Sequence, residues 1–385
     1  MPRFDSLLHR AFGEAEAIVD WMKYQMGHRR APGDYHIQPY RGHGTAETLY
    51  ISGRVFQGLP VPPARENDAV IRNLWHSVRR LGADEVPAAR VRASVAGATE
   101  TVLADDEGLF HVTLPAHTTA TGGESWRQIE LELVDPAPES GVVKATGFSI
   151  VPPPEARFGI VSDIDDTVVR TEVANVLRML RLVLLTNAHT RLPFEGVAGF
   201  YRALHAGAAG PSTNPIFYVS SSPWNFYDLL MEVFHVHDIP AGPLFLKDYG
   251  LARDLLLSLG HVEHKVEAIG RIFETHPDLP FVLIGDSGQK DPEVYREIVR
   301  RFSGRVLAVY IRDVSPEQRD DEVRAIAAEI ASAGIDTLLV ADIVAAAEHA
   351  ASVGLIDPAS LADVRGERAQ DRRAAGPFAA AVKKE

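Results

Sequence analysis

The sequence predicts an α/β fold on a parallel sheet, preceded by an antiparallel β-sandwich. Three observations carry this reading. From about residue 34 to 150, apolar and polar residues alternate with a period of two, as in half-buried strands. From residue 158 onward, short apolar runs without polar alternation, as in strands covered on both faces, are separated by helical stretches. The chain has 385 residues, too many for one ordinary core, so two domains and a tail are expected. The boundaries read as an N-terminal amphipathic helix in 1–30, a sandwich in 31–153, an α/β domain in 154–360 and a disordered tail in 361–385.

The composition narrows the function classes. The chain has no Cys, which removes a disulfide framework, a thiolate nucleophile and a Cys-zinc site. A net charge of −13 argues against a general nucleic-acid binder, whose affinity rests on neutralising phosphates. No basic segment leads into an apolar stretch at the N-terminus and no run reaches membrane-spanning length, so a cytoplasmic protein is expected.

The first helix is read over residues 4–26, where Phe4, Leu7, Leu8, Ala11, Ala15, Ile18, Val19 and Met22 share one face. Its polar face mixes Arg10 and Lys23 with Asp5, Glu14, Glu16 and Asp20, which fits packing on its own domain better than a membrane surface. The strands that follow include Val91 to Val95, Phe110 to Leu114 and Ile129 to Leu133, with a turn at Asp105–Gly108 and a helical interruption near 68–81. Tyr40-Arg-Gly-His-Gly44 reads as a glycine-rich turn without catalytic character. Val151-Pro-Pro-Pro-Glu155 is a stiff junction to the second domain.

In that domain the apolar runs end in chemistry-bearing residues. Phe158 to Val161 leads into Asp163-x-Asp165-x-Thr167. Two carboxylates one residue apart, at the carboxyl end of a buried strand, lie where open α/β sheets bind ligands. Desolvating both is costly unless a cation neutralises them, so a divalent metal is implied; an Asx-turn or N-cap pair is the alternative. Ile216 to Val219 ends at Ser220, with Ser221 beside it, Ser222 as N-cap and Pro223 in the first helical turn. A helix N-terminus there would suit a phosphoryl oxygen, although three serines can also simply cap and turn. Phe281 to Ile284 ends at Gly285-Asp286, with Asp291 five residues on before Pro292. Metal binding is the better reading for Asp286, while Asp291 suits either a ligand or an N-cap. Lys265, on a helix leading into that strand, and Lys247 compete as the cation for a phosphoryl group. The histidines His235, His237, His261 and His264 read as surface residues, since no third zinc ligand is identifiable.

In chain order these signals are Asp-x-Asp-x-Thr, strand-Ser, helix-Lys and Gly-Asp-x4-Asp, a series that resembles the four motifs of the haloacid dehalogenase superfamily. Asp163-Ile-Asp-Asp-Thr167, Val219-Ser-Ser-Ser-Pro-Trp224, His264-Lys265 and Gly285-Asp-Ser-Gly-Gln-Lys-Asp-Pro-Glu293 resemble more closely the actin-patch-protein-type phosphatidate phosphatases and their bacterial relatives, with lipins as distant kin. The resemblance covers about residues 157–315. It implies a Rossmann-like sheet with a small helical cap and a Mg²⁺-dependent phosphomonoesterase. In that scheme Asp163 attacks phosphorus to give an aspartyl-phosphate, and Asp165 protonates the leaving oxygen and later activates water. Asp163, Asp286, the backbone carbonyl of Asp165 and nearby Asp291 would hold Mg²⁺. Ser220, Ser221 and Lys265 would hold the phosphoryl oxygens, and Thr167 would fix the loop. Asp166 receives no role.

The resemblance implies phosphatidate as substrate. A soluble or protein phosphomonoester is a second reading, and a phosphatidic-acid-binding module without turnover a third. Sensor domains of the last kind lack part of the carboxylate set, whereas Asp163 and Asp165 are both present here. Between Thr167 and Ser220 there is room only for a small cap around Val176 to Leu185. Its apolar character, with Arg178 and Arg181 on one face, leaves two readings open: peripheral contact with an anionic membrane, or burial against protein.

Overall fold

The computed structural model describes residues 35–57, 84–116, 125–137, 141–164, 195–208, 214–247, 261–314 and 319–382. The expected helix at 4–26, the interruption at 68–81 and the cap segment at 176–185 lie outside them.

The N-terminal strands are β1 (Tyr35–Gly44), β2 (Thr48–Gln57), β3 (Asp84–Glu85), β4 (Arg90–Val95), β5 (Ala98–Leu103), β6 (Leu109–Pro115), β7 (Trp126–Asp135) and β8 (Lys144–Ile150). Hydrogen bonding joins them in one eight-stranded sheet, ordered β3-β2-β1-β8-β7-β4-β5 with β6 also on β2. Only β1 and β8 pair in parallel. The period of two is realised in β6, where Phe110, Val112 and Leu114 are buried while His111 and Thr113 face solvent. These side chains meet Leu49, Ile51, Val91, Ala93, Ile129 and Leu131 in one core.

The second sheet is all parallel and six-stranded. Its elements are β9 (Gly159–Asp163), α1 (Val197–Ala206), β10 (Ile216–Pro223), a 3₁₀ turn (Trp224–Phe226), α2 (Tyr227–Val236), β11 (Leu244–Lys247), α3 (His261–Thr275), β12 (Phe281–Asp286), α4 (Asp291–Arg301), β13 (Val306–Arg312), α5 (Asp320–Ser332), β14 (Asp336–Val340), α6 (Ile343–Ser352) and α7 (Leu361–Val382). All five residues of β9 are buried, as an unalternating apolar run requires. Ile160 packs on one face with α1, α2, α6 and α7, and Val161 on the other with α3, α4 and α5. The order β11-β10-β9-β12-β13-β14 places β9 centrally. The chain grows outward from β9 to β11 and then returns to add β12 on the other side of β9. The topological switch point therefore lies between the carboxyl ends of β9 and β12, where such sheets bind ligands.

Four expectations are corrected. Tyr40-Arg-Gly-His-Gly44 is not a turn; it is the end of β1. Strand β10 runs on through Pro223, so Ser222 caps no helix, and α2 starts only at Tyr227 without a side-chain cap. Asp291 is the first residue of α4 rather than its N-cap, and its carboxylate is used elsewhere. Finally, the expected tail is helical to Val382. Its described side chains dock through Leu361 and Val364 near the start of the helix and through polar groups, with no longer apolar stripe among them. Asp371 accepts from the Gly196 amide at 2.7 Å, Glu367 pairs with Arg202 at 3.0 Å and Arg372 with Glu195 at 2.5 Å.

The two sheets share core. Tyr40 and Leu109 join the α1/α2 face of the parallel sheet and Ile150 joins the α3/α4 face.

Candidate active site

Asp163 ends β9 and Asp286 ends β12, each held by parallel neighbours: Asp163 stands opposite Val219 of β10, and Asp286 opposite Arg312 of β13. Asp163 is two residues from Val161 and so lies toward the α3/α4 side of the sheet. From α3, Lys265 reaches across to it. Its ammonium donates to Asp163 Oδ1 at 2.5 Å, to Asp291 Oδ1 at 2.7 Å and to Gln289 Oε1 at 3.3 Å. All four charged groups are buried: Asp163 is 2% exposed, Lys265 3%, Asp286 and Asp291 0%.

The loop after β12 is shaped by its own carboxylates. Asp286 Oδ1 accepts the amides of Gly288 at 2.7 Å and Gln289 at 3.0 Å. Asp291 Oδ2 accepts the Asp286 amide at 3.1 Å, which ties the start of α4 to the end of β12. Gly285 makes that closure possible, since a Cβ there would lie 2.5 Å from Asp291 Oδ2 and 2.7 Å from the Tyr295 hydroxyl. Tyr295 donates in turn to the Ile284 carbonyl at 2.6 Å.

Asp163, Asp286 and Asp291 each present a carboxylate oxygen within 4.8 Å of the others. Three buried carboxylates against one ammonium leave two negative charges in a desolvated site. A hard divalent cation suits both that charge and the all-oxygen donor set. Mg²⁺ fits these residues.

Ser220 is fully buried one residue past Val219, on the strand beside Asp163, and its hydroxyl oxygen accepts the Ser222 amide at 2.9 Å. Ser221 next to it is half-buried. Lys247 ends β11, opposite Pro223, whereas Lys265 is the lysine that contacts the carboxylates. Thus Asp163, Lys265, Asp286 and Asp291 come together, with Ser220 on the neighbouring strand. Asp165, Asp166 and Thr167 lie outside the described residues. His235 is exposed, and His237 and His264 are half-buried.

Residues 158–313 match the family model of the catalytic domain of the phosphatidate phosphatase APP1. This stretch is similar to the APP1-type phosphatidate phosphatase family. Among curated proteins, the phosphatidate phosphatase APP1 of Saccharomyces cerevisiae is 34% identical over 164 residues, 42% of this chain and 27% of its own length. An uncharacterized protein of Schizosaccharomyces pombe is 27% identical over 212 residues, 54% of this chain and 33% of its own. The chain thus spans no more than about a third of these relatives. Among solved structures, a carbohydrate acetylesterase from Xanthomonas citri aligns at 13% identity over 75% of this chain and 71% of its own, at a TM-score of 0.24, too low to carry an argument. Asp163, Ser220, Lys265, Asp286 and Asp291 all fall inside the APP1-type stretch.

Sequence reasoning missed Arg319, which lies beyond it. Its guanidinium donates to the carbonyls of Ser287, at 2.7 Å, and Gln289, and to both Glu293 oxygens at 2.7 Å. Burial pushes Glu293 up, but hydrogen bonds from Lys290 and its own backbone, with the charge and hydrogen bond of Arg319, outweigh it and hold the carboxyl below its usual range. One arginine therefore braces the loop between Asp286 and Asp291. No spacing or periodicity in the sequence marks it.

Proposed function

We propose that the chain is a Mg²⁺-dependent phosphatidate phosphatase of haloacid-dehalogenase type that works through an aspartyl-phosphate on Asp163. The observation that supports this most is the convergence of three buried carboxylates and Lys265 at the switch point, inside an APP1-type stretch. Asp163 would attack phosphorus in line, and its oxygen would form the new P–O bond as the lipid alkoxide leaves. Asp165 would give that oxygen its proton and then take one from the water that cleaves the acyl-phosphate. Lys265, already on Asp163 and Asp291, keeps the nucleophile ionised and aimed; Ser220, with Ser221, would donate to the phosphoryl oxygens. Asp163, Asp286 and Asp291 would hold Mg²⁺, which when bound offsets the negative charge of carboxylates and phosphoryl group.

Among the described residues no helix is long and apolar enough to cross a membrane. A lipid substrate would be met at a surface. The test is phosphate release with Mg²⁺ from a panel of phosphatidate in mixed micelles, lysophosphatidate, sugar phosphates and phosphopeptides. The reading expects phosphatidate to lead the panel. A preference for a soluble ester or phosphopeptide would keep the chemistry and overturn the substrate, and tight phosphatidate binding without release would indicate a sensor.

A further inference from the structure

The segment Tyr40–Gly44 carries no catalytic group, yet it is where the antiparallel sheet meets the residues that follow Ser220. Opposite β2 the register shifts between Tyr40 and His43: Tyr40 pairs with Ser52 and His43 with Tyr50, so Arg41 and Gly42 together face Ile51. Such a bulge bends its strand and re-aims its side chains. A Cβ at Gly42 would lie 1.9 Å from the Tyr50 carbonyl oxygen and 2.5 Å from Ser149 Oγ, so the bulge admits only glycine.

What the bulge presents is aromatic. Tyr40, buried, stacks on Trp224 with ring centroids 4.6 Å apart and planes 12° apart, and packs against Tyr227 at 4.4 Å. The Arg41 amide donates to the Tyr227 hydroxyl oxygen at 2.8 Å. The Arg41 guanidinium lies 5.4 Å over the Trp126 ring and contacts Met231 Sδ at 3.9 Å. Trp224 opens the 3₁₀ turn directly after β10, and Tyr227 is the first residue of α2. The strand end that carries Ser220 runs through this turn into α2, which has no side-chain cap of its own. Its far end is fixed instead from the other sheet.

We propose that Tyr40 is a positioning residue for phosphoryl binding: it locks Trp224 and Tyr227, and through them the pose of the β10 end that carries Ser220. The antiparallel sheet thereby serves the site without touching substrate. The proposal rests on reading that strand end as phosphoryl-binding. Offset or near-parallel ring pairs hold geometry well, and small displacements of a binding group are costly to turnover.

The test uses the full chain as wild type, Tyr40→Ala, Tyr40→Leu and Tyr40→Phe, with two readouts. Hydrogen exchange is followed at the amides of 220–227 and, as reference, of β12 and β13. Orthovanadate affinity is measured by calorimetry with Mg²⁺. Loss of the ring should speed exchange in 220–227 about tenfold while the reference strands keep their rates, and weaken vanadate by about tenfold; Tyr40→Phe should restore both. Tyr40→Leu keeps apolar bulk and answers the same question if the alanine variant does not fold. Unchanged exchange at 220–227, equal acceleration in the reference strands, or unchanged vanadate affinity would overturn the proposal. A wild type that binds no vanadate would remove the phosphatase reading, and the exchange rates alone would then decide whether Tyr40 sets the turn.

Discussion

Asp286 does two jobs: its Oδ1 shapes the following loop, and its carboxylate belongs to the three-oxygen cluster. Asp286→Asn keeps an oxygen that can accept those amides but removes one charge. The expected outcome is a rise in the Mg²⁺ concentration for half-maximal phosphate release, with turnover largely recovered by excess metal. Lys265 behaves differently because it balances charge rather than supplying a ligand. Lys265→Met would leave three buried carboxylates without their ammonium, a loss of roughly 3–5 kcal/mol for a broken buried pair. Urea denaturation should show that loss, and added Mg²⁺ should stabilise the variant more than the wild type. At this scale Asp163 and Asp286 were legible as positions: each ends a buried apolar run, and strand ends of such sheets are where ligands bind. The approach of Lys265 to Asp163 and Asp291 was not legible, because it depends on a helix crossing to strand ends distant in sequence. For Asp291, whose position before Pro292 suited a ligand or a cap equally, the sequence could not show that its carboxylate ties Lys265 to the Asp286 amide.

Among elements, the loop from Asp286 to Asp291 is braced from outside by Arg319 at the N-terminus of α5. Arg319→Ala should free the Ser287 and Gln289 carbonyls and leave Glu293 with Lys290 and its own backbone amide. Binding of Mn²⁺ as a spectroscopic stand-in should weaken by about tenfold, with little change in thermal stability, since a partly exposed guanidinium contributes mainly geometry here. Lysine cannot replace it, because a point charge lacks the fork that spans two carbonyls and a carboxylate; Arg319→Lys should resemble the alanine variant. Elements with a strong period, as in β6, or an unbroken apolar run, as in β12, were readable from sequence. Those set by tertiary context were not. The strand end at Tyr40–Gly44 looks like a turn because its glycines answer close approaches, Gly42 to Tyr50 and Ser149 and Gly44 to Thr48 and Leu49. The last helix looks like a tail because polar pairs, not an apolar stripe, dock it.

The whole molecule is joined by an aromatic contact at the opposite end of the parallel sheet from the site. His43 of β1 packs against Tyr50, Phe217, Phe245 and His276, with the two imidazole centroids 5.7 Å apart. Burial, with His276 adding to it, lowers His43 to about 3; burial, with the Arg305 charge, lowers His276 to about 4. The unfolded chain takes up these protons near pH 6.5, whereas the folded chain resists until pH 4 or below. Stability from these groups is therefore complete above pH 6.5 and is lost progressively as pH falls toward the folded values, at up to ~1.4 kcal/mol per pH unit for each histidine. Melting temperatures between pH 7 and 4.5 should fall along this course. The double substitution His43→Phe, His276→Phe should flatten the slope whatever its absolute stability. A contact between two sheets distant in sequence has no local signature, which is why neither histidine stood out.

Covalent chemistry at Asp163 is tested most directly by trapping the intermediate. Enzyme turning over phosphatidate with Mg²⁺ is quenched in acid, digested and examined by mass spectrometry, beside Asp163→Asn prepared identically. One added phosphate is expected, on the peptide carrying Asp163, with neither label nor turnover in the folded asparagine variant. Wild-type-like phosphate release by Asp163→Asn, or a phosphate carried on any other residue, would contradict it.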